Sequence, residues 1–191
     1  ITSPQDRRVI YHGANKVLKS SDGGLSWMEI SPDLTLNDTT KHGVGGGPYT
    51  NEGAGGENYN TITYLAASPH SADVIWAGSD DGLVHITRDG GKDWMKITPP
   101  GLTECLVNSI DVSVHQPGTA YVVATRYRQN DLSPNAYRTS DYGKTWTKII
   151  NGIDSDGFIR VIRADQKVKG LLYAGTETGL YVSFNDGMKW E

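Results

Sequence analysis

Four tryptophans that end similar eight-residue strings constrain the fold of this 191-residue chain more than any other feature. Each string has Ser or Thr first, Asp or Asn third, Gly fifth and Trp eighth. The tryptophans lie 67, 52 and 44 residues apart, and the strings are SSDGGLSW, TRDGGKDW, TSDYGKTW and SFNDGMKW. Self-similarity at such spacings is typical of repeat architectures.

The chemistry of each string predicts a hairpin turn with a structural role. The Asp or Asn side chain can accept hydrogen bonds from backbone amides two or three residues later. Glycine at the fifth position supplies a positive φ at little steric cost, and the tryptophan begins the next strand with a ring that fills the space between repeats. The residues given this role are Ser20, Asp22, Gly24, Trp27, Thr87, Asp89, Gly91, Trp94, Thr139, Asp141, Gly143, Trp146, Ser183, Asn185, Gly187 and Trp190.

Short segments rich in β-branched and aromatic residues surround each turn and read as strands. The second repeat has them at 60–68, 74–78, 83–87 and 94–98, and the third at 107–114, 120–125, 135–139 and 146–150. No stretch has a sustained helical period, so almost no helix is expected. Four strands in an up-and-down meander form a propeller blade. We therefore predict an all-β fold, a β-propeller section of about four four-stranded antiparallel blades.

The expected blades cover residues 1–36, 59–100, 106–152 and 157–191, with a glycine-rich inter-blade loop at 37–58. The first blade lacks its inner strand in this prediction, and the last has at most a stub of its outer strand. We therefore expect an arc of a larger propeller of roughly six to ten blades. An arc leaves two blade faces bare, so the remaining blades are expected from the same polypeptide or a partner chain.

The strings resemble the bacterial-neuraminidase-type repeat, or Asp-box, whose pattern is S/T-x-D-x-G-x-T/S-W. Two strings match fully, while the others depart at Asp93 and at Asn185 and Lys189. The wider sequence resembles sortilin-like and "glycosyl hydrolase, Asp-box repeat" propellers, as in IWAGSDDGLVHITRDGGKDW at residues 75–94. The resemblance implies the fold and a secreted, periplasmic or cell-surface protein. It implies no single activity, because the group includes sialidases, xyloglucan-cleaving enzymes, photosystem assembly factors and sorting receptors.

One end of a propeller carries the connections between blades and those between the second and third strands of each blade. We call this end the loop face. The longest connection there contains a glycine-rich segment that is either a flap or a spacer covering blade edges. As a flap, it brings Tyr49, Glu57 and Tyr59 over the central channel.

Two further groups of candidate ligand-binding residues belong to the loop face. Arg126, Tyr127 and Arg128 offer cations and a ring that suit a sugar or an acidic peptide, with a solvated loop as the alternative. Equivalent loops of two other blades carry carboxylates that are either paired groups, as glycosidases need, weak cation ligands, or solvated acidic turns. These carboxylates are Asp80, Asp81 and Glu177.

The composition argues against several function classes. Eighteen basic and 22 acidic residues give a net charge of −4 and no basic stripe for nucleic acid. No run of about 18 apolar residues predicts a membrane span. The histidines show no metal-binding spacing, so no metal or cofactor is expected. The single cysteine, Cys105, is expected to be a small buried apolar side chain.

These observations favour a secreted module that presents a protein- or glycan-binding face, since every well-formed motif is structural and variation lies in the loops. On this reading the chain is not an enzyme. The alternative is part of a glycoside hydrolase that acts on a polysaccharide, with catalytic carboxylates split across blades. A third hypothesis is an assembly factor. No catalytic residue is assigned.

Overall fold

The computed structural model describes residues 1–41 and 59–191. Their strands form four antiparallel sheets in which chain neighbours pair in order. The first sheet contains β1 (Ile10–Gly13), β2 (Val17–Ser20) and β3 (Met28–Glu29); the second β4 (Ile62–Ala67), β5 (Ile75–Ser79), β6 (Val84–Thr87) and β7 (Met95–Lys96); the third β8 (Leu106–Val112), β9 (Ala120–Thr125), β10 (Ala136–Thr139) and β11 (Thr147–Lys148); and the fourth β12 (Ile159–Ala164), β13 (Leu172–Thr176) and β14 (Leu180–Ser183). The helical segments of the described residues are 3-10 turns at Thr39–Lys41 and Tyr127–Gln129. The predicted all-β partial propeller is confirmed.

The expectation that the first sheet has no inner strand is wrong. Thr2 forms an antiparallel bridge with Ile10, and the Ser3 amide donates to the Val9 carbonyl at 2.9 Å. Residues 1–3 therefore occupy the edge where an inner strand lies in the other sheets. The fourth sheet ends in the expected stub of an outer strand, because Val182 and Glu191 exchange two backbone hydrogen bonds of 2.9 Å.

The four tryptophan-ended strings form turns held by one repeated set of hydrogen bonds. The first-position hydroxyl accepts from the fifth-position amide at 2.8–2.9 Å. The third-position side chain accepts from the amide four residues later at 2.9–3.0 Å, which is one residue beyond the predicted reach. The fifth-position glycines have φ from 83° to 103°, as predicted.

The fourth position of each turn is constrained in a way that the sequence did not reveal. Gly23, Gly90, Tyr142 and Asp186 all have positive φ. The amide of each donates to a carbonyl in the hairpin that joins the first two strands of its own sheet, at 2.9–3.0 Å. This bond ties together the two hairpins at the end of the sheet opposite the loop face, which we call the turn face.

Each tryptophan from the second repeat onward bonds to the preceding sheet. The indole Nε1 groups of Trp94, Trp146 and Trp190 donate to the carbonyls of Ile30, Ile97 and Ile149 at 2.7, 2.8 and 2.9 Å. Each acceptor lies three residues after the tryptophan of the preceding turn. We call these bonds the tryptophan latches.

A second set of bonds runs to the following sheet. The Gln5 amide nitrogen donates to the Ser68 carbonyl at 2.9 Å, and the Nε2 atoms of His70 and His115 bond to the carbonyls of Ser113 and Asp165 at 2.9 and 2.8 Å. The three donors lie at equivalent positions, two residues after the residue that closes the first hairpin. We call these bonds the histidine latches, including Gln5.

The apolar core lies between the sheets. The cluster between the second and third sheets includes Trp76, Val84 and Ile110, and similar clusters fill the other two junctions. Cys105 is buried, as expected, and burial raises the pKa of its thiol to about 12. Within the described ranges, no helix has the length and apolar character needed to cross a membrane.

Candidate functional site

The loop face collects the sequence-predicted ligand-binding candidates from three consecutive sheets. Asp80 and Asp81 lie between β5 and β6, Arg126 to Arg128 between β9 and β10, and Glu177 between β13 and β14. Tyr49 and Glu57 lie outside the described residues, so the flap cannot be placed. Tyr59 belongs to the described part and is considered below.

The interpretation of Asp80 and Asp81 as solvated acidic turns is wrong. Their residues are 8% and 2% exposed. Asp81 accepts hydrogen bonds from the Leu36 amide at 2.7 Å and from the Ser79 hydroxyl. Asp80 accepts from the Thr61 amide at 2.9 Å. These two carboxyl groups therefore fasten the second sheet to the chain segments that enter it.

Burial raises the pKa of the Asp80 carboxyl because an ionised group loses hydration there. The Thr61 hydrogen bond acts in the opposite direction, and the nearby Asp81 charge adds to the increase. A carboxyl with a raised pKa on a loop face can hold a proton at a higher pH than an exposed aspartate.

Tyr59 anchors the end of the long connection. Its residue is 4% exposed, and its hydroxyl donates to the Glu104 carboxylate at 2.7 Å. The same carboxylate bonds to the Lys41 ammonium, which lies 5.2 Å from the centre of the Tyr59 ring. Sequence reasoning missed Glu104, whose acceptor role depends on contacts between segments distant in sequence.

A stacked cluster joins the third and fourth sheets at the loop face. The Tyr127 ring stacks on Phe158 with centroids 5.8 Å apart and planes 21° apart. The Arg160 guanidinium lies 4.7 Å from the Phe158 centroid and 5.2 Å from that of Tyr127. Glu177 bonds to the Arg160 Nε group. We call Tyr127, Phe158, Arg160 and Glu177 the stacked cluster.

The loop that carries Tyr127 is ordered by its own contacts. Arg126 forms an ion pair with Asp131 at 3.7 Å, and the Arg128 guanidinium lies 5.9 Å from the Tyr127 centroid. Arg126, Tyr127 and Arg128 are half-buried, so the solvated-loop alternative does not describe them. Phe158 and Arg160 were not among the predicted site residues, although both lie at the start of an inner strand where it meets the loop face.

The described loops do not present an open pair of carboxylates. Asp81 is occupied by two hydrogen bonds, while Glu177 is bonded to Arg160 and lies two sheets from Asp80. No group of three or more His, Cys, Asp or Glu side chains that could hold a metal ion occurs within residues 1–41 and 59–191.

A polar cluster on the inner strands brings three sheets together. Arg163 donates to the Ser109 hydroxyl at 2.8 Å and to the Tyr64 hydroxyl at 2.9 Å, and lies 3.6 Å from the Asp111 carboxylate. Burial raises the pKa of Asp111, while the Ala164 amide and Arg163 oppose the increase. The position of Arg163 in an inner strand is visible in the sequence, but its reach across three sheets is not.

Comparisons with known proteins point to one class of propeller. The chain is 33% identical over 112 residues to an oligoxyloglucan-reducing end-specific xyloglucanase from Emericella nidulans, covering 58% of this chain and 14% of that protein. It is 26% identical over 183 residues to a probable enzyme of the same name from Neosartorya fischeri, covering 82% and 22%. The chain thus spans less than a quarter of these relatives. No protein-family model matches it, so membership of the Asp-box or sortilin-like group stays a prediction.

Solved structures support the partial propeller. A GH74 enzyme from Niastella koreensis aligns over 100% of this chain and 28% of its own, with a TM-score of 0.70 and 20% identity. An ancestral GH74 enzyme aligns over 100% and 23%, with a TM-score of 0.72 and 18% identity. YCF48 bound to D1 peptide aligns over 68% and 38%, with a TM-score of 0.53 and 23% identity. The chain is a β-propeller section related in sequence to glycoside hydrolases, which favours the hydrolase hypothesis over the free-standing binding module.

Proposed function

We propose that this chain is a section of a glycoside hydrolase propeller that acts on xyloglucan or a similar branched β-glucan, and that its loop face binds the glycan. The observation that carries the proposal is the 33% identity over 112 residues to a xyloglucanase. The stacked cluster provides matching chemistry on the loop face, because sugar rings have an apolar face that packs on aromatic rings and hydroxyls that bond to charged groups.

Tyr127 is the centre of the proposed glycan contact. Its ring is half-buried, with Phe158 holding its orientation and two arginines beside it. The Arg160 side chain is 42% exposed and remains accessible while Glu177 fixes its Nε group. A planar guanidinium held in this way can donate to sugar hydroxyls with a defined geometry.

The acid and base that cleave the bond are not both assigned to the described loops. Asp80 has the raised pKa that suits a general acid, but it is buried and bonded to Thr61. The neighbouring carboxylates are committed to structural contacts. We therefore assign glycan binding to this section, and expect a second catalytic carboxylate from other blades of the propeller.

Such an enzyme works where its substrate is. A polysaccharide cannot cross a membrane unaided, so we expect the protein to be secreted, periplasmic or on the cell surface. This location follows from the proposed substrate.

The proposal is tested by measuring calorimetric binding of xyloglucan oligosaccharides and of unbranched cello-oligosaccharides to the chain. We expect Tyr127→Ala and Arg160→Ala to weaken xyloglucan binding about three- to tenfold, the range for one aromatic or cation–π contact of roughly 0.5–1.5 kcal/mol. Arg88→Ala is the matched control, because Arg88 lies 4.1 Å from the Tyr142 ring on the turn face.

Three results would contradict the proposal. They are no measurable binding of xyloglucan fragments, equal affinity for branched and unbranched glucans, and an equal loss of affinity in the Arg88→Ala control. The last would show that the variants act through stability and not through the loop face.

A further inference from the structure

The first sheet exposes a face that the three other sheets bury. Trp27 is 44% exposed, whereas Trp190 at the equivalent position is 2% exposed. Ile10 is half-exposed, whereas its counterparts by strand register, Ile75 and Leu172, are buried. We call this surface, made by Ile10, Gly24 and Trp27, the leading face.

The latch of the first sheet also differs from the others. Trp27 Nε1 donates to the Gly24 carbonyl of its own turn at 3.1 Å. In the other turns the indole reaches the preceding sheet. A side chain on Gly91, Gly143 or Gly187 would meet an isoleucine of that sheet at 2.6–2.8 Å, but one on Gly24 would meet only Trp27 and Ile10, at 3.8–3.9 Å.

The fourth sheet exposes the opposite kind of face. Leu180 is 67% exposed, whereas Val17, Val84 and Ala136 at the same register are fully buried by the sheet that follows each of them. Every junction in the chain therefore pairs a face of the Leu180 kind with a face of the Trp27 kind. Continuity of this interface identifies what a leading face accepts.

We propose that the leading face is the docking surface for a further blade of this same repeat, carried by the same polypeptide. That blade has a large apolar residue three positions after its own tryptophan; its side chain packs on Gly24 and its carbonyl accepts the Trp27 indole hydrogen. Its first hairpin carries Gln or His, which bonds to the Ser3 carbonyl as Gln5 bonds to Ser68. The inference does not depend on the glycan specificity.

A second copy of residues 1–191 fits this surface less well. The acceptor in each junction lies three residues after a tryptophan, as Ile97 follows Trp94 and Ile149 follows Trp146. The equivalent position after Trp190 falls outside these residues. Two copies joined end to end would therefore leave the Trp27 indole with no equivalent acceptor.

The test duplicates a blade within the chain. Ile1 corresponds to Arg163, because the amides two residues later, on Ser3 and Asp165, make equivalent bonds. Residues 106–162 placed directly before Ile1 therefore supply a complete third blade and finish the inner strand of the first sheet. Hydrogen exchange of each indole N–H is followed by NMR, with Trp27 assigned through Trp27→Phe.

We expect the Trp27 indole to exchange at least tenfold more slowly in the fusion, while that of Trp190 is unchanged. Ile149→Ser in the added copy alone should restore faster exchange. A second fusion, with residues 59–110 before Ile1, presents Ile97 and should protect Trp27 equally, so the test does not depend on one duplicate folding.

Unchanged Trp27 exchange in both fusions would overturn the proposal. Slow exchange in the unfused chain that rises with protein concentration, with a doubled mass in sedimentation, would also overturn it, because the occupant would then be a second copy.

Discussion

At the residue scale, the aspartate of each turn is a hydrogen-bond acceptor whose charge contributes to folding. Thr145 donates to the Asp141 carboxylate through its hydroxyl at 2.6 Å and its amide at 2.9 Å. These bonds lower the pKa of Asp141 to about 2, and similar bonds lower that of Asp89. Asn185 keeps the amide bond without a titrating group.

The lowered pKa of Asp141 predicts an acid-dependent loss of stability. Its contribution is present above the unfolded pKa of about 4 and is lost as pH falls through about 2, because only the ionised form makes the full set of bonds. Asp141→Asn should flatten the pH dependence of the urea unfolding midpoint between pH 4 and 2. Asn185→Asp is the reciprocal variant and should steepen it. Parallel curves for both variants would contradict this account.

At the element scale, the sheets are joined by two latches that use side chains on backbone carbonyls. Sequence reasoning recognised the tryptophans as inter-blade residues but predicted only a packing role. It treated the histidines as having no assigned role, because His70 and His115 form no metal-binding pattern. The repeated Ser-x-Gln/His signal at residues 3–5, 68–70 and 113–115 is present in the sequence and could have identified them.

Trp146→Phe should lower the free energy of unfolding by about 1–3 kcal/mol, because it leaves the buried Ile97 carbonyl without its donor. Trp27→Phe should cost less, since the Trp27 indole is exposed and bonds within its own turn. Chemical denaturation of both variants measures the difference. Equal losses would show that the cross-sheet bond contributes nothing beyond ring packing.

His115→Ala should lower the free energy of unfolding by about 1 kcal/mol through loss of the bond to Asp165. His115→Gln should recover much of this, because Gln5 makes the equivalent bond in the first sheet. The same denaturation measurement distinguishes them. A glutamine variant as unstable as the alanine variant would contradict the latch.

At the scale of the whole molecule, the two ends of the propeller section have separate tasks. The turn face carries the repeated bonds and both sets of latches, while the loop face carries the half-buried Tyr127 and its arginines. Arg163 on the inner strands links the second, third and fourth sheets through Tyr64, Ser109 and Asp111. Fixed curvature of this kind is what allows neighbouring loops to present one continuous glycan-binding surface.

The sequence by itself determined the blades, because their turns depend on bonds between residues at most four apart and on glycines with positive φ. It also marked Arg126 to Arg128 as candidates, since their loop departs in length from its counterparts. Only the tertiary structure decided the burial of Asp80 and Asp81, the pairing of Glu177 with Arg160 and the stacking of Tyr127 on Phe158. These contacts join segments from different sheets or distant parts of one chain, and their desolvation and geometry depend on how neighbouring blades pack, which local patterns do not encode.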